Sequence, residues 1–164
     1  MGDADGVTVS DCSEERRQVM AHVATDYLTN PKAPLGDWVC TRSSGIAPFT
    51  DVPPAEKQHG PNFCGQCVSY VTTVCTTLPV ATSAWKKGVQ VRGATGILPG
   101  TAIATFNANG HYSGHAAVYE SQTAIGINVV DQWVTPPATA IHKRLLRFGA
   151  HGNSNNGDNF FVVD

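Results

Sequence analysis

The sequence predicts an α+β domain. Helices come first, and a meander of short antiparallel strands follows. Three observations lead there. Apolar residues recur at helical spacing in two early segments, 11–28 and 67–78. From residue 89 the apolar period falls to two. Between the later apolar segments lie clusters of Asn, Gly, Ser and Pro, which is turn chemistry.

The elements are read in order. Residues 1–10 are small and polar, and are expected to fray. Asp11 to Leu28 reads as a helix. Asp11 and Glu14 resemble a capping arrangement, and Val19, Val23 and Tyr27 recur at i, i+4, i+8. Asn30-Pro31 stops it. Residues 31–62 hold many prolines and glycines and no period. They read as a long ordered loop with an extended piece at Trp38–Thr41, and a loop of that length is usually functional or stapled. Cys67 to Leu78 reads as a second helix, with Val68, Val71, Cys75 and Leu78 on one face. Its threonines are poor helix formers, so burial must hold it. Pro79 ends it. A further helical turn is read at Ser83–Lys87, with Trp85 as a core anchor. Five strands follow at Thr101–Phe106, His115–Glu120, Gly126–Trp133, His142–Phe148 and Asn159–Val163.

Composition narrows the class. The chain has 164 residues, of which 15% are charged, and its net charge is −2. That length reads as one domain, 1–164. So few charges, with much Gly and Pro, suit a turn-rich extracellular protein more than a cytosolic one. The charge gives no case for nucleic acid or an anionic membrane. No apolar run approaches the roughly 20 residues that cross a bilayer. Met1-Gly2-Asp3-Ala4-Asp5-Gly6 shows no secretory signal, so a secreted chain would be read here without its leader.

The five cysteines are Cys12, Cys40, Cys64, Cys67 and Cys75. In a secreted chain an odd count leaves one thiol unpaired. With Cys67 free, three pairings of the other four are open. The preferred one is Cys12–Cys40 with Cys64–Cys75, although spacing does not choose between them. Five reduced, mostly buried thiols are the bland alternative. A redox CxxC at Cys64-Gly65-Gln66-Cys67 would want a strand leading into it, and loop precedes it instead. A zinc site would need a second cluster at ligand spacing, and none is seen.

Cys67 opens the second helix. A helix N-terminus stabilises a thiolate through its unsatisfied N–H groups and its dipole. The Cys67 N–H is a candidate oxyanion donor, and Gln66 a further one. His115 opens a strand and is the candidate base. Asp131 closes the run Ile127-Asn128-Val129-Val130-Asp131 in the next strand. If the two strands pair antiparallel, Asp131 comes close to His115 and can orient its ring. Taken alone, each has a structural reading: an inert helix cysteine, a core histidine, a turn-capping acid. Together they stand in nucleophile, base, orienter order. His111 is a rival base in a loop. His22, His59, His142 and His151 read as surface or packing residues. Lys143-Arg144 with Arg147 alternate like the exposed side of a strand. Trp133, Trp38 and Tyr112 line a cleft or belong to the core.

Gln66-Cys67-Val68-Ser69-Tyr70-Val71 resembles the Cys-bearing helix start of NlpC/P60 cell-wall peptidases. Gly114-His115-Ala116-Ala117-Val118-Tyr119 resembles their His-bearing strand. Trp85-Lys86-Lys87-Gly88, Gly100 to Phe106, Val130-Asp131-Gln132-Trp133 and Asn156 to Phe160 are similar to secreted bacterial proteins related to type VI secretion amidase effectors. The closer resemblance covers about residues 64–164. It implies a papain-like NlpC/P60 core of N-terminal helices on a curled sheet of about five strands. It implies cleavage of amide bonds in peptidoglycan stem peptides, with no cofactor. Carried over by position, Cys67 is the nucleophile, His115 the base and Asp131 the third member; from the residues themselves, Gln66 and Trp133 are expected toward the substrate. Gln66 departs from the family's usual Asp. The protein is expected to be a secreted monomer, and an immunity protein is among the partners implied. Acyl transfer or deamidation on the same fold, and a non-catalytic stapled module, are the alternative readings.

Overall fold

The computed structural model describes residues 21–164. Its frame is a six-stranded antiparallel sheet. The strands are β1 (Lys87–Gln90), β2 (Ala102–Phe106), β3 (Tyr112–Thr123), β4 (Gly126–Trp133), β5 (Thr139–Arg147) and β6 (Phe160–Val163), in the order β1-β6-β2-β3-β4-β5. Strands β2 to β5 form a meander. β6 then returns to pair with β2 and carries β1 on its outer edge.

Both faces of the sheet centre are buried, which explains the near-continuous apolar runs there. One face carries Ile103, Ala117, Tyr119, Ile127, Val129, Leu146 and Phe160. The other carries Ala102, Ala104, Ala116, Val118 and Val130, and packs with Tyr70, Val71 and Val74 of the helix α1 (Cys67–Val74). The alanines under the helix allow close approach. Burial of Val71 or Val74 contributes roughly 1.5–3 kcal/mol each.

The antiparallel sheet holds, but the expected layer of N-terminal helices is reduced to one short α-helix among the described residues, and several elements differ from expectation. The sheet has six strands rather than five. β1 replaces the helical turn read at Ser83–Lys87, of which only a 3₁₀ turn at Thr82–Ala84 remains. Its cause is non-local: Lys86 and Asp164 exchange both backbone hydrogen bonds. Trp85 is the buried anchor expected, and its indole donates to the Pro79 carbonyl.

The first helix is not formed where it can be described, and its earlier part lies outside the described residues. Val23 makes a β-bridge to Thr101, and residues 25–29 turn. Ala24 donates to the Gly100 carbonyl, and Ala102 to that of His22. Gly100 permits this approach: a Cβ there would stand 2.1 Å from the Ala24 carbonyl oxygen. The pairing satisfies the same backbone groups that a helix would.

α1 ends at Val74, four residues short of Leu78. Arg42 explains the stop. Its guanidinium donates to the carbonyls of Thr72, Thr76 and Leu78 at 2.7–3.0 Å, so carbonyls past the helix end find a cationic partner. The loop from residue 31 to 62 is ordered and stapled, with Trp38 bridging to Phe49.

The disulfide is Cys40–Cys64. This corrects the expected Cys12–Cys40 and Cys64–Cys75 pairs. Thr41 donates to the Asn62 carbonyl and Gly65 to that of Val39, so Cys40 and Cys64 face each other between two backbone hydrogen bonds. Cys75 stands at the other end of α1, about 12 Å along the axis for a helix of this length. Its thiol is free and lies against the carbonyls of His22 and Gly100. Cys12 lies outside the described residues.

Candidate active site

The chain is tightly controlled where it enters α1. Gly65 has φ +78°, and a Cβ there would collide with Val134 and reach Trp38. Gln66 is the N-cap, and its carbonyl accepts from Ser69 and from the buried Gln132 side chain. Gln132 also exchanges two hydrogen bonds with the Val39 backbone. One amide thus ties the disulfide loop, the start of the helix and β4 together. Cys67 follows as the first helical residue.

Cys67 is 5% exposed, yet it lines a cleft of about 690 Å³. The cleft walls include His59, Phe63, Gln66, Val68, Tyr112 and Trp133. The Tyr112 hydroxyl is 3.4 Å from the Cys67 Sγ. Trp85 stacks edge-on against that ring at 5.1 Å and fixes it.

His115 comes from a bulged stretch of β3. Four steps on β3, from Tyr112 to Ala116, face two on β2, from Phe106 to Ala104. The Thr105 hydroxyl pins the excess: it accepts from the His115 N–H and donates to the Ser113 carbonyl. Gly114, at φ +108°, is required by the same feature. A Cβ there would meet the Thr105 hydroxyl and the Asn153 amide. Bulges of this kind re-aim a side chain.

With Val118 opposite Val130, His115 sits diagonally across from Asp131. The two meet: His115 Nε2 is 2.6 Å from Asp131 Oδ2, and both side chains are fully buried. The ring also stands edge-on to Trp133 at 5.0 Å. Asp131 takes Nε2, so Nδ1 is left without a hydrogen-bond partner. That is the nitrogen available to a thiol. No hydrogen bond joins Sγ to Nδ1, but the two groups shift each other's titration.

For His115, burial opposes the charge, but the hydrogen bond to Asp131 and the nearby Cys67 outweigh it and raise the pKa to about 9. For Cys67, burial favours the thiol, yet His115 and then Tyr112 draw its pKa below the ordinary value. For Asp131, burial favours the acid, and His115 and Arg144 overcome it and lower its pKa. The directions agree: His115 favours the thiolate form of Cys67, Cys67 favours the charged form of His115, and a carboxylate backs the ring. The other free thiol behaves differently: burial pushes Cys75 up to about 12.

Three contributors were read otherwise in the sequence. Arg144 places Nε 2.8 Å and Nη2 2.7 Å from Asp131 Oδ2. His142 lies directly opposite Asp131, with Nδ1 3.7 Å from Oδ1. His59 lines the cleft rather than a plain surface. The sequence pattern puts Arg144 with Lys143 and Arg147 on an exposed side; instead His142 and Arg144 share the Asp131 side of β5, whereas Lys143 points away to Glu120. Gln66 is at the cleft, but its side-chain amide is committed to the Gln58 carbonyl. Trp133 lines the cleft and touches the base. His111 is exposed on its turn. Among the described residues no His, Cys, Asp or Glu cluster could hold a metal ion.

Comparison with known proteins places the chain among amidase effectors. The family model for domesticated amidase effector 2 matches residues 19–163, so the likeness extends well before residue 64. Domesticated amidase effector 2 of Ixodes scapularis is 41% identical over 103 residues, covering 60% of this chain and 70% of that one. A type VI secretion amidase effector 2 protein of Salmonella typhi is 36% identical over 98 residues, covering 50% and 73%. A solved structure of type 6 secretion amidase effector 2 superposes with a TM-score of 0.52 at 33% identity, covering 60% of this chain and 80% of that one. The resemblance to type VI amidase effectors seen in the motifs is borne out, and the chain belongs to the domesticated amidase effector 2 family.

Proposed function

We propose that this chain is a cysteine amidase that hydrolyses amide bonds in peptidoglycan stem peptides. One observation carries the reading. A thiol at a helix start lines an open cleft, and a buried His115–Asp131 pair, whose other ring nitrogen has no hydrogen-bond partner, draws that thiol's pKa down. The family's amidase description gives the bond type.

In this reading the Cys67 thiolate attacks the amide carbonyl. Negative charge develops on the oxygen, and the Cys67 N–H in the first helical turn is aimed to receive it. Gln66 serves as cleft wall, because its amide is already engaged. The tetrahedral intermediate collapses as His115 Nδ1 gives its proton to the leaving nitrogen, releasing an amine and leaving a thioester. Water then attacks the thioester while Nδ1 takes a proton. A carboxylic acid is released, and His115 returns the proton balance to the thiolate–imidazolium pair. Asp131 stays ionised throughout and holds the tautomer that leaves Nδ1 free. The protein acts outside the cell as a monomer built on a single domain, with an immunity protein among its partners.

Digestion of purified sacculi in ¹⁸O-labelled water tests the reaction type. Hydrolysis places one ¹⁸O in each new carboxyl and frees one amine. Unlabelled products bearing a new amide or ester would instead mark transfer and overturn the hydrolase reading.

A further inference from the structure

Arg144 is absent from the nucleophile–base–orienter reading, yet its guanidinium is held at several points. Nε and Nη2 converge on Asp131 Oδ2, the same oxygen that His115 uses. Nη1 donates to Asn155 Oδ1 at 2.7 Å, and Nη2 lies 3.5 Å from the Ser154 carbonyl. The loop after β5 therefore clamps the arginine against the acid. Asp131 Oδ1 is buried without a hydrogen-bond partner, so Oδ2 carries almost all of the compensation.

We infer that Arg144 is a positioning residue that keeps Asp131 ionised and so maintains the Cys67–His115 ion pair. A buried carboxylate held by one imidazole can neutralise itself by taking the shared proton. A guanidinium removes that option, because it is always charged and gives up no proton. Charges then alternate along a row: thiolate, imidazolium, carboxylate, guanidinium. The groups that act on Asp131 are His115 on β3, His142 and Arg144 on β5 and, through space, Tyr70 on α1; Cys67 is reached through His115. Arg144 alone among them is a permanent cation. The inference rests on the triad assigned above, and its test uses no peptidoglycan.

The test follows alkylation of Cys67 by iodoacetamide against pH, mapped by mass spectrometry so that Cys12 and Cys75 do not contribute. Arg144→Gln is expected to move the acid limb upward by about one pH unit, a tenfold loss of thiolate below the midpoint. Arg144→Lys, which keeps a charge but loses the fork, is expected to fall between Gln and wild type. A Gln variant with an unmoved limb overturns the proposal. So does a Lys variant shifted as far as Gln, which would make shape rather than charge the cause. Should the Gln variant fail to fold, the Lys variant decides alone: an upward shift well short of about one pH unit supports the role, and either no shift or a shift of a full unit overturns it. Activity on sacculi is a separate readout, so loss of the amidase reading would leave this result interpretable.

Discussion

Asp131 is a buried acid that receives His115 and Arg144 on one oxygen, and that crowding sets the behaviour of the thiol two contacts away. Replacing Asp131 with Asn keeps the shape and removes the charge. Hydrolysis should fall by about 10²- to 10⁴-fold, read as kcat on a soluble stem-peptide substrate. The pH profile should be bell-shaped. Its acid limb should lie below the ordinary thiol range, and its alkaline limb near 9, where the imidazolium of His115 loses its proton. A single rise with an ordinary thiol midpoint would speak against the ion pair. Cys67, His115 and Asp131 were legible because each stands at the start or end of a periodic segment. Arg144 and His142 were not, because a period of two says which residues share a face but not whether a buried acid lies under it. Tyr112 was ambiguous for a related reason: the bulge that brings it to Cys67 depends on the Thr105 side chain.

At the scale of elements, α1 is short, rich in threonine and stopped by a side chain from a distant loop. Arg42→Ala should destabilise the protein by about 2 kcal/mol, since hydrogen bonds from a charged donor to three carbonyls are lost together. Thermal unfolding would show it, and an unchanged midpoint would contradict the capping role. Removal of the Cys40–Cys64 bridge, which closes 24 residues, should cost about 3 kcal/mol by loop entropy. The strands of the meander were readable from alternation and turn chemistry, and β4 matches its expected bounds from Gly126 to Trp133. Elements made by long-range pairing were not. The Val23 bridge depends on Gly100, and β1 depends on the chain's last residue, Asp164. Cys40 and Cys64 meet through hydrogen bonds between two loops that have no period of their own.

At the scale of the whole molecule, the sheet brings residues from α1, β3, β4 and β5 to one end, and the cost is a set of charges buried in the core. Asp131 titrates below its unfolded value. Its contribution to stability is therefore present above the ordinary carboxylate range and is lost as pH falls through the lowered folded value. Wild type should lose more stability than Asp131→Asn on acidification below about pH 4, as measured by urea midpoints across pH. Equal losses would contradict the assignment. The antiparallel sheet and its β2–β5 meander could be read from sequence because the strands are apolar and the turns are polar, but the return of β6 to β2 could not. The path of residues 31–62 could not, since it follows the disulfide and the Gln132 contacts rather than any pattern. The central claim is that Cys67 is the nucleophile, and the most direct measurement is the release of new amino groups from purified sacculi by wild type and by Cys67→Ala. The account predicts a fall of at least about 10³-fold for a variant whose fold is intact. Release at the wild-type rate would contradict it.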